Sequence, residues 1–249
     1  MATPMVKSLR ETVGLFNPQA AEFVHFGCSA QDAIDTAMAM VSQQVLTLIQ
    51  ADLDQLIAHL VELAERHASD PVLARTPWQS SALASFGWLC VQWLAPLVRC
   101  RQRLQLRAQQ ALCVQLGGAL GTQIEMKGKG PQVAALMATE LGLTTPAFSW
   151  QTQRDEQVAL ACELGILVGS LGRIAKDMAR MAQPEIAELT VPEGGCNIAL
   201  VALQRVPQRV ASLLATLAQE QEHGLDHWQA GLAEWPALLM STHGVARPV

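Results

Sequence analysis

The sequence predicts an all-α protein, a long antiparallel helical bundle in which residues 1–249 form a single domain. Three observations lead there. Apolar residues recur at three- and four-residue spacing over stretches of about thirty residues. No alternation of useful length marks a strand. Half of the chain is hydrophobic (50%) and only 16% is charged, so several helices must be covered on most sides, as in a large bundle or an oligomer.

The first long helix is expected at Ser29-Ala30-Gln31-Asp32, where a Ser cap and a carboxylate three residues later can satisfy free backbone N–H groups. Ile34, Met38, Val41, Ile49, Leu53, Leu56, Ile57, Leu60 and Leu63 follow at helical spacing, and neither Gly nor Pro interrupts before Pro71. The implied rod has about 38 residues and a length of about 55–60 Å. A second helix is expected from about Gln79–Ser81 to the stop at Gly117-Gly118, with a kink at Pro96. The stretch Thr76–Val98 carries no charge and has bilayer-spanning length. Gln79, Ser80, Ser81, Gln92 and Pro96 break its apolar character, so it reads as a buried helix and not a membrane span.

Thr122–Gly130 reads as a loop, and Pro131 opens a short helix to Leu141 with Gly142 just past its end. A third long helix is expected from about Thr152 to Met181, with Val158, Cys162, Ile166, Val168, Leu171, Ile174, Ala175 and Met178 turned inward. After a loop at Pro192–Gly195, helices follow at about Asn197–Glu222 and Leu225–Leu239.

The charge balance, 17 Lys plus Arg against 22 Asp plus Glu, leaves no basic field for a phosphate backbone and excludes nucleic acid as a partner. Six cysteines are scattered without a C-x-x-C pair, which indicates free thiols in a reducing compartment and neither a zinc cage nor a disulfide framework. Met1–Arg10 has no apolar core of a secretory signal, so a cytoplasmic location is expected. His59 and His67 fall among charged residues on a solvated face. His223 and His227 share a helical face with Glu222 and Asp226 and read as surface, not metal ligands. Lys127-Gly128-Lys129-Gly130 lacks the G-K-[ST] ending of a phosphate loop. No metal and no cofactor is expected.

The junctions between these elements carry a family resemblance. His25-Phe26-Gly27-Cys28-Ser29-Ala30-Gln31-Asp32-Ala33-Ile34-Asp35-Thr36 resembles H-W-G-A-T-S-Q-D-x-x-D-T, Ala74-Arg75-Thr76-Pro77-Trp78-Gln79 resembles G-R-T-W/H-L-Q, and Gln115–Thr122 resembles Q-x-G-G-A-x-G-S/T. Trp150-Gln151-Thr152-Gln153-Arg154-Asp155 resembles W-H-T-Q-R-D, Gly169–Asp177 resembles G-S-L-G-K-x-x-x-D, and Arg205-Val206-Pro207 and Gln219–Glu222 are similar to R-V-P and Q-E-H-E. These are, in order, landmarks of the 3-carboxy-cis,cis-muconate cycloisomerases of the fumarase/aspartase superfamily.

The resemblance implies a homotetramer with a shared core of long helices and active sites assembled from three subunits. It also implies lactonisation of a carboxylated diene in aromatic breakdown, through an anionic intermediate. Such chemistry needs donors aimed at a substrate carboxylate and a group that moves a proton. The residues carried over as substrate-contacting are Ser29, Gln31, Arg75, Thr76, Gln79, Gln153 and Arg154, and His25 is the candidate catalytic residue. The partner is then a small carboxylate, with neither nucleic acid nor membrane involved.

Several family positions are changed. Gly194-Gly195 runs directly into Cys196-Asn197 where the family carries G-S-S-x-M-P-x-K-x-N-P, with its catalytic Ser. Pro77 stands where many superfamily members place a catalytic His, and Gln151, Gln221 and Gln229 stand where the family has His. Glutamine keeps hydrogen bonding but cannot take up a proton. The resemblance further implies that the family's flanking amino- and carboxyl-terminal helical regions are lacking. Two alternatives follow: a catalytically silent homologue serving as an oligomeric scaffold, or another lyase of the superfamily, similar to adenylosuccinate lyase.

Overall fold

A computed structural model describes residues 2–76, 79–191, 194–222 and 225–247. The elements in order are α1 (Ala2–Phe16), α2 (Pro18–Ala21), α3 (Ala30–Arg66), β1 (Pro71–Thr76), β2 (Gln79–Ser85), α4 (Phe86–Ala111), α5 (Gly130–Leu141), α6 (Asp155–Met181), α7 (Asn197–Ala215) and α8 (Leu225–Ala246). The helical class expected from the periodicity is what the fold shows, and α1 adds a helix that the periodicity did not single out.

Helix α3 spans 37 residues and opens with the expected capping box. The Ser29 hydroxyl accepts from the Asp32 amide at 3.2 Å, and the Ser29 amide donates to Asp32 Oδ2 at 2.7 Å. At the far end the chain turns into a hairpin, β1 paired antiparallel with β2, which corrects the reading that no strand is present. The second helix therefore begins at Phe86, not at Gln79–Ser81, and Ser85 caps it by accepting from the Trp88 amide at 3.1 Å. The uncharged stretch Thr76–Val98 is thus strand and then helix. The hairpin escaped the periodicity because Val72 is the one buried residue among its described residues, so no apolar face alternates along its strands.

The return from hairpin to bundle depends on Gly87. A Cβ there would lie 2.7 Å from both the Ala64 carbonyl oxygen and the Ala68 Cα, a clash with backbone that cannot move aside. Helix α4 runs through Pro96 and ends at Ala111, earlier than Gly117-Gly118. Residues 112–115 instead bond sideways: the Val114 amide donates to the Thr144 carbonyl at 3.0 Å and the Gln115 amide to the Thr36 hydroxyl at 2.9 Å.

Five helices make the bundle. Helices α3 and α4 are antiparallel, and the pairs Arg107–Glu156, Arg103–Glu163 and Trp93–Asp177 set α4 antiparallel to α6. Trp228 to Asp35, Trp235 to Ser42 and His243 to Asp52 run α8 alongside α3 in the same direction. Helix α7 lies antiparallel to α6, with Gly172 against Leu203 and Gly165 against Val210. Ile49, Leu53, Leu97, Leu104, Leu160, Leu164, Leu167, Val206 and Leu238 are fully buried between them, each contributing about 1.5–3 kcal/mol of burial free energy. Val114, Leu116, Met126, Ala134 and Ala138 form a second, smaller cluster under α5.

Ile166 departs from its expected inward orientation and is 47% exposed, as is Val41 of α3 at 54%. Helix α6 is long and apolar enough to cross a membrane by length and composition, but more than half of its most apolar stretch is buried inside the bundle.

Candidate active site

The Asp32 carboxylate organises the amino-terminal end of α3. It is buried and accepts four hydrogen bonds: from the Ser29 and Gly118 amides on Oδ2 at 2.7 and 2.9 Å, and from the Gly117 amide and Gln115 Nε2 on Oδ1 at 2.8 and 3.3 Å. The Gln115–Gly118 segment is thereby pinned against the helix start. Gly118 needs its hydrogen side chain, because its φ is 70° and a Cβ would meet the Gly27 carbonyl at 2.7 Å.

Gln115 carries the network onward, donating to the Ser149 hydroxyl at 2.8 Å and accepting from the Trp150 amide at 3.1 Å. Gln31 is buried and donates to the Gln151 carbonyl at 2.9 Å, while its Oε1 has no partner. His25 stands on the adjoining turn with a left-handed φ of 60°, its Nε2 buried and likewise unpartnered. Cys28 nearby has its thiol pushed up to about 11, first by burial and then by Asp32 and Glu125. It stays protonated at neutral pH and is no nucleophile.

Arg154 faces inward at this end. It is ion-paired through two nitrogens with Asp35, and the side chains are 9% and 2% exposed. Trp228 donates its indole N–H to the same carboxylate at 2.9 Å, and the guanidinium lies 5.2 Å from the Trp150 ring centre. Gln151 is buried and donates to the Glu222 carbonyl at 2.8 Å, a cross-link between segments at a position where imidazole would titrate. Gln153 is exposed and lines an open depression of about 590 Å³ beside Trp150.

Arg75, Thr76 and Gln79 stand on the hairpin at the opposite end of α3. Thr76 pairs with Gln79 in the strand register, and Pro77 and Trp78 lie outside the described residues, as does His223. Arg75 makes a two-pronged ion pair with Glu188, at 3.0 and 2.9 Å. That hydrogen bond is the main reason its guanidinium holds its proton even more firmly than usual. Glu188 also borders a cavity of about 630 Å³ walled by Leu60, Leu63, Phe86, Trp93, Met178 and Leu189, where His67 Nδ1 meets Asp70 at 2.6 Å.

Ser29 and Arg75 are therefore separated by the length of α3, about 55 Å at 1.5 Å per residue. Within one chain the candidates fall into two groups: His25, Ser29, Gln31, Gln153 and Arg154 at one end, and Arg75, Thr76 and Gln79 at the other. Only an assembly of several copies can bring the groups together. Sequence reasoning missed Asp32 and Asp35 as anchors and missed Glu188 altogether. The capping box signalled Asp32 in its local role alone.

A family model described as "Lyase" matches residues 2–194. The 3-carboxy-cis,cis-muconate cycloisomerase of Pseudomonas aeruginosa is 34% identical, covering 95% of this chain and 54% of that protein. Among solved structures, the 3-carboxy-cis,cis-muconate lactonizing enzyme of Pseudomonas putida superposes with a TM-score of 0.91 at 33% identity, over 98% of this chain and 57% of that one. The fumarate lyase of Mesorhizobium sp. BNC1 superposes with 0.92 at 27% identity, again over 98% and 57%. The chain spans about half the length of the curated relatives it matches. The P. aeruginosa alignment runs over 253 residues, more than the 249 of this chain, so that relative carries internal residues which this chain lacks. With most of its length matched by the family model and its helical frame shared with the solved relatives, the chain belongs to the lyase family.

Proposed function

We propose that the chain is a cycloisomerase of the 3-carboxymuconate type, acting as one unit in a cytoplasmic homotetramer on a small carboxylated diene from aromatic breakdown. The observation that carries this reading is the relationship to cycloisomerases over 95% of the chain. The placement of Ser29, Gln31 and Gln153 at or beside the starts of α3 and α6, where free N–H groups and the helix dipole favour anions, fits a carboxylate substrate.

In the reaction a substrate carboxylate oxygen bonds to a carbon of the diene that is β to a second carboxylate. The double-bond electrons move toward that second carboxylate, and a proton then reaches the α-carbon. Arg75 offers two parallel N–H donors for a carboxylate, and the Thr76 hydroxyl and Gln153 amide offer neutral ones. His25, with an unpartnered buried Nε2, is the proton carrier in this reading. Because these groups occupy opposite ends of α3, the site joins ends from different copies. Val41, Leu48, Ile166 and Met240, all exposed and apolar, supply faces for that contact.

The test is loss of diene absorbance on adding 3-carboxy-cis,cis-muconate to the purified protein, with Arg75→Ala expected to abolish it. Gln151, built in as a buried cross-link, favours one second reading, a binding but silent homologue. Tight binding of the diene without turnover would establish that reading and reject the first.

A further inference from the structure

Arg75 is offered above as the fork for a substrate carboxylate, yet in this fold the fork is full. Both of its terminal nitrogens donate to the two oxygens of Glu188, at 3.0 and 2.9 Å. This is the fork-to-fork geometry that an incoming carboxylate would itself adopt. Resting on that reading, we propose that Glu188 is a built-in stand-in for the substrate carboxylate. It exchanges with the ligand at Arg75 and releases the segment around it.

The local backbone supports an element with two positions. Ala187, immediately before Glu188, has a φ of 49°, a left-handed conformation that residues with a Cβ disfavour. It is held there by a doubled set of amide bonds. The Ile186 and Ala187 amides both donate to the Gln183 carbonyl at 2.9 and 2.8 Å, and the Glu188 and Leu189 amides both donate to the Met181 carbonyl at 2.9 and 3.3 Å. The turn folds back on the end of α6 and delivers Glu188 to the hairpin.

The ion pair is partly open to solvent, with side chains 37% and 22% exposed, so water and a competing carboxylate can reach it and it can exchange. Glu188 and Leu189 border the cavity of about 630 Å³, a volume within the range of ligand pockets. A ligand that takes Glu188's place on the guanidinium has apolar walls for its carbon frame at Leu60, Leu63 and Phe86. The class selected is a di- or tricarboxylate with an apolar or unsaturated skeleton, one carboxylate on Arg75 and the carbons against those walls.

The experiment is isothermal titration of the full chain with tricarballylate, a saturated tricarboxylate that cannot lactonise. Glu188→Gln keeps the shape and removes the charge, and is expected to bind about two- to tenfold more tightly than the unaltered protein. Glu185→Gln, which removes an exposed charge three residues away, is expected to change affinity far less. In the Arg75→Ala background the gain from Glu188→Gln is expected to vanish, a dependence that a merely structural glutamate would not show. Independently of any variant, hydrogen exchange at the Glu188 and Leu189 amides is expected to quicken when the unaltered protein is saturated. Equal or weaker binding by Glu188→Gln, or amides that stay protected at saturation, would overturn the exchange while leaving the proposed function standing. Absence of binding in both the unaltered protein and Glu188→Gln would overturn both.

Discussion

Asp35 and Arg154 meet inside the bundle at the junction of α3 and α6, 119 residues apart in the chain, with Trp228 of α8 donating to the same carboxylate. One acidic group thus ties three helices, and its guanidinium partner is almost completely shielded from water. Removing one member of a buried pair leaves the other charge uncompensated, at a cost of about 3–5 kcal/mol. Asp35→Asn is expected to lower the urea midpoint by a corresponding amount. A midpoint unchanged from the unaltered protein would mean that the pair does not form.

Gly87 seats the start of α4 on the end of α3. Gly87→Ala places a methyl 2.7 Å from the Ala64 carbonyl oxygen and the Ala68 Cα. Overpacking of this kind costs about 1–3 kcal/mol, which thermal unfolding will register. An alanine that stabilises, as helix propensity alone would predict, would show that the two helix ends lie farther apart.

Cys28 reports on the packing of the α3 start through pH. Its folded-state thiol is raised to about 11 from an ordinary value of 9.0, with burial the leading cause. The unfolded chain therefore loses this proton first, so stability is full below about pH 9 and falls as pH rises toward 11. Cys28→Ser is expected to flatten that decline. Alkylation followed by peptide mapping is expected to find Cys28 slow at neutral pH. Fast labelling there would contradict its burial.

Ile166 and Val41 are large apolar side chains exposed on core helices. If these faces meet other copies, light scattering will give four chains for the unaltered protein, and Ile166→Glu or Val41→Glu will give smaller species. A monomeric unaltered protein would leave the two groups of candidate residues at opposite ends of α3 and would end the cycloisomerase reading.

The amino-acid order was enough for the features that neighbours in sequence create. The helix start at Ser29, the uninterrupted length of α3, the Pro131 opening and Gly142 close of α5, and the order of the family landmarks all rest on chemistry within a few residues. What tertiary structure alone decided has a different origin. The strands β1 and β2 have no apolar alternation to announce them, α4 stops at Ala111 because residues 112–115 bond to Thr36 and Thr144, and Ile166 faces outward although its spacing pointed in. The pairing of Arg75 with Glu188, 113 residues away, is decided in the same manner. Local signals come from side chains that share a helical turn, whereas contacts between distant segments depend on the register in which whole helices pack, and that register is settled only when the bundle closes.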